Sequence, residues 1–412
     1  MTPLRKLPFH YAWVIALAGM LALFCCLGLA RFSFGMLLPS MSESLQLSYR
    51  ESGYLGSAYL VGYLLMVGLV PWVNARLGGR MTITAGLLLI AVSMVSVGFA
   101  QGFITVLLLY LATGIGSGMT NIPAVTLISH WFAPSLRGRA AGLVTAGSSL
   151  GIVLSGFLIP ALNREAVNES WRYGWIVLGV ISFLVAILVW LLIRNHPRDL
   201  NLTVAGEAPG PAEIQAAVPH APRVVESSRR PLVHFGALYL IFGATYMIYA
   251  TFIVTTLIDE HGFSENTAGI FWAWVGFLSF FSGLLFGYLS DKTSRKFGIM
   301  CAFAVQTLAY YLVSLNAGMV PLYASMMLFG LSVWAIPTIM AAAMGDYFGV
   351  DKAAWALSAI TFFFALGQVL GPASAGILAD TYGGFSTAYL VSAALTGLGL
   401  TIAALLRKPA IA

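Results

Sequence analysis

The stretch Gly287-Tyr288-Leu289-Ser290-Asp291-Lys292-Thr293-Ser294-Arg295-Lys296 places four charged side chains within six residues, between two apolar runs at 266–289 and 297–315. Each run has the ~20 residues that a helix needs to cross the hydrocarbon core of a bilayer. A short charged link between two such runs reads as a turn at a membrane surface. The chain is therefore expected to cross a bilayer repeatedly.

The composition agrees over the whole length. Of 412 residues, 59% are hydrophobic and 9% are charged, and the mean hydropathy is +0.88. A soluble domain carries about 25% charged residues, so this chain cannot clothe a water-facing surface. That excludes a soluble enzyme, a nucleic-acid-binding domain and a disordered chain. Cys25, Cys26 and Cys301 all fall inside apolar runs, with spacing that implies neither a disulfide framework nor a metal site. Arg5 and Lys6 precede an apolar run, 11–38, far longer than a signal-peptide core, so a retained first helix is expected.

Further apolar runs lie at 51–73, 81–100, 104–131, 140–162 and 172–194, then at 233–258, 319–345, 353–379 and 385–406. With the three runs already named, the expectation is an all-α membrane protein of twelve helices, since only helices satisfy their own backbone in lipid here. The polar interruption after residue 194 holds six of the 17 prolines and reads as a flexible connector. The expected organisation is a six-helix bundle over 1–194, a central loop over 195–232 and a second six-helix bundle over 233–412. With both termini inside, the inner segments hold seventeen Lys and Arg, against Arg50, Arg164 and Arg172 outside. This positive-inside bias predicts the cytoplasmic (inner) membrane with cytoplasmic termini.

The halves repeat at an offset of 216 residues: Arg76 falls on Lys292, Trp131-Phe132 on Tyr347-Phe348, Gly151 on Gly367 and Asn121 on Pro337. Parallel repeats of this kind enclose a central site near the bilayer midplane and rock about it. Gly287 to Lys296 resembles the major facilitator superfamily signature: glycine, three residues, an acid, a base, any residue, a small residue and two bases. Its first-half counterpart, Asn74-Ala75-Arg76-Leu77-Gly78-Gly79-Arg80, is degenerate. Tyr11-Ala12-Trp13-Val14-Ile15, Trp131-Phe132 and Trp171-Arg172 are similar to bacterial relatives of the monocarboxylate transporters. Gly28-Leu29-Ala30-Arg31-Phe32 resembles a bacterial branch with a G-x-x-R-F pattern in its first helix. The resemblance implies a gating role for Asp291, Lys292, Arg295, Arg76 and Arg80, with Asp291 capping a neighbouring helix and pairing with a base when the inner side closes; for the lysine and the arginines, membrane orientation alone is the competing role.

Arg31 is the only charged side chain well inside a predicted span, eight residues before Pro39 and thus ~12 Å from the expected helix end. A guanidinium buried there is costly unless an anion or carbonyls meet it. The resemblance puts this span on the central cavity, where a five-donor fork suits a carboxylate. The alternative is an arginine that snorkels outward or ties loop carbonyls shut. No Asp, Glu, His or Lys stands mid-span, which favours an anion over a cation. Tyr246 and Tyr249 flank the position opposite Arg31 in the repeat, and Asn121 precedes Pro123 in a Gly-rich fourth span. Trp334 and Gln368 complete the substrate-binding candidates. For each of these five, packing or a hydrogen bond between helices is the competing role.

The expectation is a secondary active transporter moving a small organic anion, a monocarboxylate, by alternating access. Its expected partners are the anion and the lipid bilayer, with a coupled proton as one option; a monomer is expected, with no cofactor and no nucleic acid. Coupling is open between a proton carried with substrate, a proton on Asp259, Glu260 or Asp380, and anion exchange. The alternative is an exporter of amphipathic drugs or siderophore-like compounds, favoured by the 15 Met and the aromatic content. An intramembrane enzyme lacks its buried base and a retinal protein its mid-span lysine.

Overall fold

A computed structural model describes residues 9–163, 169–206, 229–315 and 317–406. Arg5, Lys6, Arg164, Arg223, Arg407 and Lys408 lie outside the described residues, as does most of the expected connector. The apolar runs are helical, because hydrocarbon offers no other partner for their N–H and C=O groups. In chain order they are α1 (Ala12–Leu45), the double-length helix Tyr49–Val97, α4 (Phe103–Trp131), α5 (Pro134–Asn163) and α6 (Ser170–Leu192). The second set comprises α7 (Pro231–Glu260), α8 (Glu265–Lys292), α9 (Arg295–Ser314), α10 (Met319–Phe348), α11 (Val350–Tyr382) and α12 (Ser386–Ala404). Among the described residues the β content is one isolated bridge, Phe132 with Ala205.

Tyr49–Val97 has 49 residues, and at 1.5 Å per residue it would run about 74 Å, more than twice a hydrocarbon core of about 30 Å. Gly78 divides it, with φ 75° and ψ 161°, a conformation that only glycine adopts without strain. The legs 49–77 and 79–97 are α2 and α3. Among the described residues, eleven long apolar helices, one of them double-length, therefore supply twelve segments long enough to cross a bilayer.

Two predicted helices differ from observation. α1 runs on past Pro39 to Leu45, so Arg31 stands about 21 Å from its end rather than about 12 Å. α10 is broken at Trp334, with φ −101° and ψ 4°, into pieces 319–332 and 335–348. Pro337 opens the second piece, where its missing N–H has no helical partner to lose.

The chain forms two compact units, Met1–Leu47 with Ala58–Pro209, and Ser48–Ser57 with Gly210–Ala412. In the first, α1 crosses α5 so closely that a Cβ on Gly151 would lie 2.4 Å from the Gly28 Cα. In the second, a Cβ on Gly367 of α11 would lie 2.2 Å from the Leu240 carbonyl of α7. Gly151 and Gly367 are the glycines that the 216-residue offset pairs, so the repeat reappears as one packing device used twice. Small residues let backbones approach where lipid supplies no hydrophobic force between helices. Large apolar side chains face outward instead, as Leu284 does at 74% exposure.

The connector does not begin as a free linker. Trp131 Nε1 donates to the Arg194 carbonyl at 2.9 Å, and the Arg80 N–H donates to Asn195 Oδ1 at 2.8 Å. A 3-10 turn at Pro197–Leu200 follows, and Ala205 exchanges hydrogen bonds with Trp131 and Ala133. These ties strap residues 194–205 across helix ends of the first unit, where paired backbone replaces the expected flexibility.

Candidate functional site

Arg31 lies at the end of a π-helical segment, Phe24–Phe32, inside α1. A π turn carries one extra residue and disturbs the carbonyl ladder, and such turns are frequent at functional sites. Tyr59 of α2 donates its hydroxyl to the Cys26 carbonyl at 2.7 Å, and Tyr110 of α4 donates to the Ala30 carbonyl at 3.0 Å. Ser117 Oγ stands 3.0 Å from both the Cys26 and Thr113 carbonyls and shares one proton between them. Arg31 itself is 9% exposed. Its guanidinium carbon lies 5.4 Å from the Phe32 ring centroid and within electrostatic reach of Tyr59 and Tyr110. The first unit thus holds a permanently charged five-donor group deep in an apolar bundle, beside two phenols.

Asn121 is in the same unit, half-buried on α4. Its Nδ2 donates to Tyr63 Oη of α2 at 2.8 Å. Tyr59 and Tyr63 are spaced i, i+4 on one face of α2, which was the available sequence signal for both. Tyr110 carried no comparable signal.

The other candidates belong to the second unit. Gln368 Nε2 of α11 donates to Tyr246 Oη of α7 at 2.9 Å, and both side chains are buried. Tyr246 lies in a slab with Tyr239, Phe242 and Phe364, whose ring planes agree within 15°. Tyr249 Oη meets Ser325 Oγ at 2.9 Å. Since Ser325 gives its proton to the Ala309 carbonyl at 2.7 Å, Tyr249 is the donor. Tyr249 therefore joins α7, α10 and α9 and stacks on Phe329 at 4.1 Å. Trp334 stands at the break in α10, where its N–H donates to Ser282 Oγ at 3.0 Å.

At the charged link, Arg295 joins two carboxylates. Its Nε donates to Asp346 Oδ2 at 2.6 Å and its Nη1 to Ser290 Oγ at 3.1 Å and to Asp291. Together with Lys296 and Tyr347 these residues line a cavity of about 280 Å³. Lys292 lies 5.7 Å from the Tyr288 ring centroid. In the first unit, the Arg76 guanidinium lies 3.9 Å over Trp72 and Arg80 Nε donates to the Trp190 carbonyl at 2.8 Å. The acids considered for a proton are also engaged. Glu260 Oε1 accepts from the Phe385 N–H at 2.7 Å at the start of α12, and Asp380 pairs with Arg50 at 3.5 Å.

Helices paired through glycine, the charged link after α8 and a buried arginine in α1 together describe a membrane carrier. The family described as "Uncharacterised MFS-type transporter YbfB" matches residues 23–407. The chain belongs to this family of MFS-type transporters.

Two relatives match the transporter over most of its length. The hexuronate transporter of Bacillus subtilis (strain 168) is 23% identical over 389 residues, covering 89% of this chain and 88% of the relative. Monocarboxylate transporter 11 of Homo sapiens is 24% identical over 397 residues, covering 93% and 80%. Among solved structures, a bacterial homologue of the human lysosomal transporter Spinster superimposes with a TM-score of 0.78 at 17% identity, covering 97% of each chain. The superposition supports the fold, and the family makes the chain a multi-pass membrane transporter rather than an enzyme.

Proposed function

We propose that this transporter moves a small organic anion, a monocarboxylate, across the cytoplasmic membrane by alternating access, with Arg31 as the cation that meets the carboxylate. The observation that carries this reading is the burial of Arg31 at 9% exposure within α1. A fixed positive charge there gains most from an anionic guest, because the low dielectric strengthens the attraction and the fork matches a carboxylate. The two relatives are named for a hexuronate and a monocarboxylate, and both are carboxylates as well. Asn121 with Tyr63 supplies polar groups on the same unit; Tyr246, Tyr249, Trp334 and Gln368 are the contributions proposed from the second. Arg295 with Asp291 and Asp346, Lys292, and Arg76 with Arg80 are proposed to act in inner gating. Coupling stays open between a proton moving with the anion and anion exchange, the protein is proposed to work as a monomer, and the positive-inside bias supports cytoplasmic termini.

The test is a thermal-shift panel of small carboxylates and their neutral amides on purified protein and on Arg31→Gln. Carboxylates should stabilise the wild type selectively, and the variant should lose that response. Equal stabilisation of both proteins removes Arg31 from the site. Stabilisation by neutral amphiphiles that survives the substitution would instead favour the export of amphipathic compounds.

A further inference from the structure

Resting on the reading of Arg31 as the anion-binding cation, we infer that Tyr59 and Tyr110 are positioning residues for it. Their hydroxyls hold α1 in the π register that decides where the guanidinium points. An α-helix turns about 100° per residue, so one residue inserted as a π turn rotates everything after it by about that angle relative to what comes before. Arg31 stands at the far end of the π segment Phe24–Phe32 and takes that rotation. The ties bracket it: Tyr59 binds the Cys26 carbonyl at 2.7 Å, and Tyr110 binds the Ala30 carbonyl, the one in the peptide entering Arg31, at 3.0 Å. A carbonyl that accepts a phenol from another helix has an anchor outside its own ladder, and burial at 1% and 2% exposure keeps water from competing for either phenol.

The rings are held independently of their hydroxyls. Tyr59 and Tyr110 pack with centroids 5.2 Å apart, and Tyr110 stacks on Phe34 at 4.7 Å and meets Trp175 edge-on at 5.5 Å. Removing only the oxygen therefore preserves the packing: it takes the phenol tie from the Ala30 carbonyl, and leaves the Cys26 carbonyl only the proton that Ser117 shares with Thr113.

The experiment compares wild type with Tyr59→Phe and Tyr110→Phe, using L-lactate and D-glucuronate as carboxylate probes and lactamide as the neutral control. In each variant the carboxylate concentration giving half-maximal thermal stabilisation should rise about five- to tenfold, the change expected from one buried hydrogen bond. A purely structural role would lower the ligand-free melting midpoint and leave that concentration unchanged, which overturns the inference. A second measurement needs no ligand: electron microscopy of the Tyr59→Phe/Tyr110→Phe variant, or of either single variant should the double not fold. Residues 24–32 should return to α register, and a retained π turn overturns the inference. If neither carboxylate stabilises the wild type, the proposed function fails instead, and the register measurement alone decides this inference.

Discussion

Gln368 Nε2 donates to Tyr246 Oη across 2.9 Å, joining α11 to α7 one residue from Gly367, where a Cβ would lie 2.2 Å from the Leu240 carbonyl. Both side chains are within 2% of full burial, so the bond has no competition from water. Gln368→Leu keeps most of the volume and removes the donor. It should destabilise the ligand-free protein by about 1–2 kcal/mol. In a double-mutant cycle with Tyr246→Phe, the two losses should fall short of additivity by about 1 kcal/mol. Unfolding in detergent measures both. A glutamine that served substrate alone would leave the empty protein's stability unchanged.

Gly151 and Gly142 lie on one helix and predict opposite outcomes for the same substitution. A Cβ on Gly151 meets the Gly28 Cα at 2.4 Å, which is backbone and cannot rotate away, whereas nothing lies within 4 Å of a Cβ on Gly142. Gly151→Ala must push α1 from α5 and should cost about 2–3 kcal/mol. Gly142→Ala should stay within about 1 kcal/mol of wild type, on the stabilising side. Melting midpoints of the two variants, measured side by side, check this.

The twelve crossings were legible because hydrocarbon leaves a long apolar run no conformation but helix, and Gly151 with Gly367 showed the repeat that both units use for packing. The π turn left no such trace. Phe24-Cys25-Cys26-Leu27-Gly28-Leu29-Ala30-Arg31-Phe32 has the composition of a uniform helix, and its register depends on hydroxyls contributed by α2 and α4. Tyr59, Tyr63 and Tyr110 were missed for that reason: their partners are backbone carbonyls and a side chain far away in the chain. Pro39 misled in the opposite direction, since a proline within a helix was read near its end and α1 continues past it. At Asn195 the polarity that reads as loop instead serves to accept the Arg80 N–H.

Arg295 sits between Asp291 and Asp346 with 20% side-chain exposure, against 65% and 46% for the two acids. Exposed pairs of this kind are worth about 0–1 kcal/mol, so Asp346→Asn should change stability by no more than that. Its effect on transport should be larger if the pair forms and breaks in each cycle. Uptake into proteoliposomes should fall several-fold, and Asp346→Glu should recover part of it. Equal, small changes in both stability and uptake would leave the pair with no role in turnover.

His261 follows the last turn of α7, and its Nε2 is buried with no hydrogen-bond partner among the described residues. Burial penalises the charged ring and lowers its pKa below the ordinary 6.5, despite the neighbouring Asp259 and Glu260. The folded protein therefore holds His261 neutral at a pH where the unfolded chain already takes up a proton. At pH values well above about 6.5 both forms are neutral and the residue contributes nothing to the pH dependence. As pH falls below that value, the unfolded state binds the proton first, and stability declines until the folded state is protonated too. His261→Gln removes this term while retaining the carboxylates that titrate nearby. Melting midpoints from about pH 8 to about pH 5 should therefore fall more steeply for wild type than for the variant. Parallel profiles would mean that the imidazole is solvated in the working protein, because a ring open to water has the same proton affinity folded and unfolded.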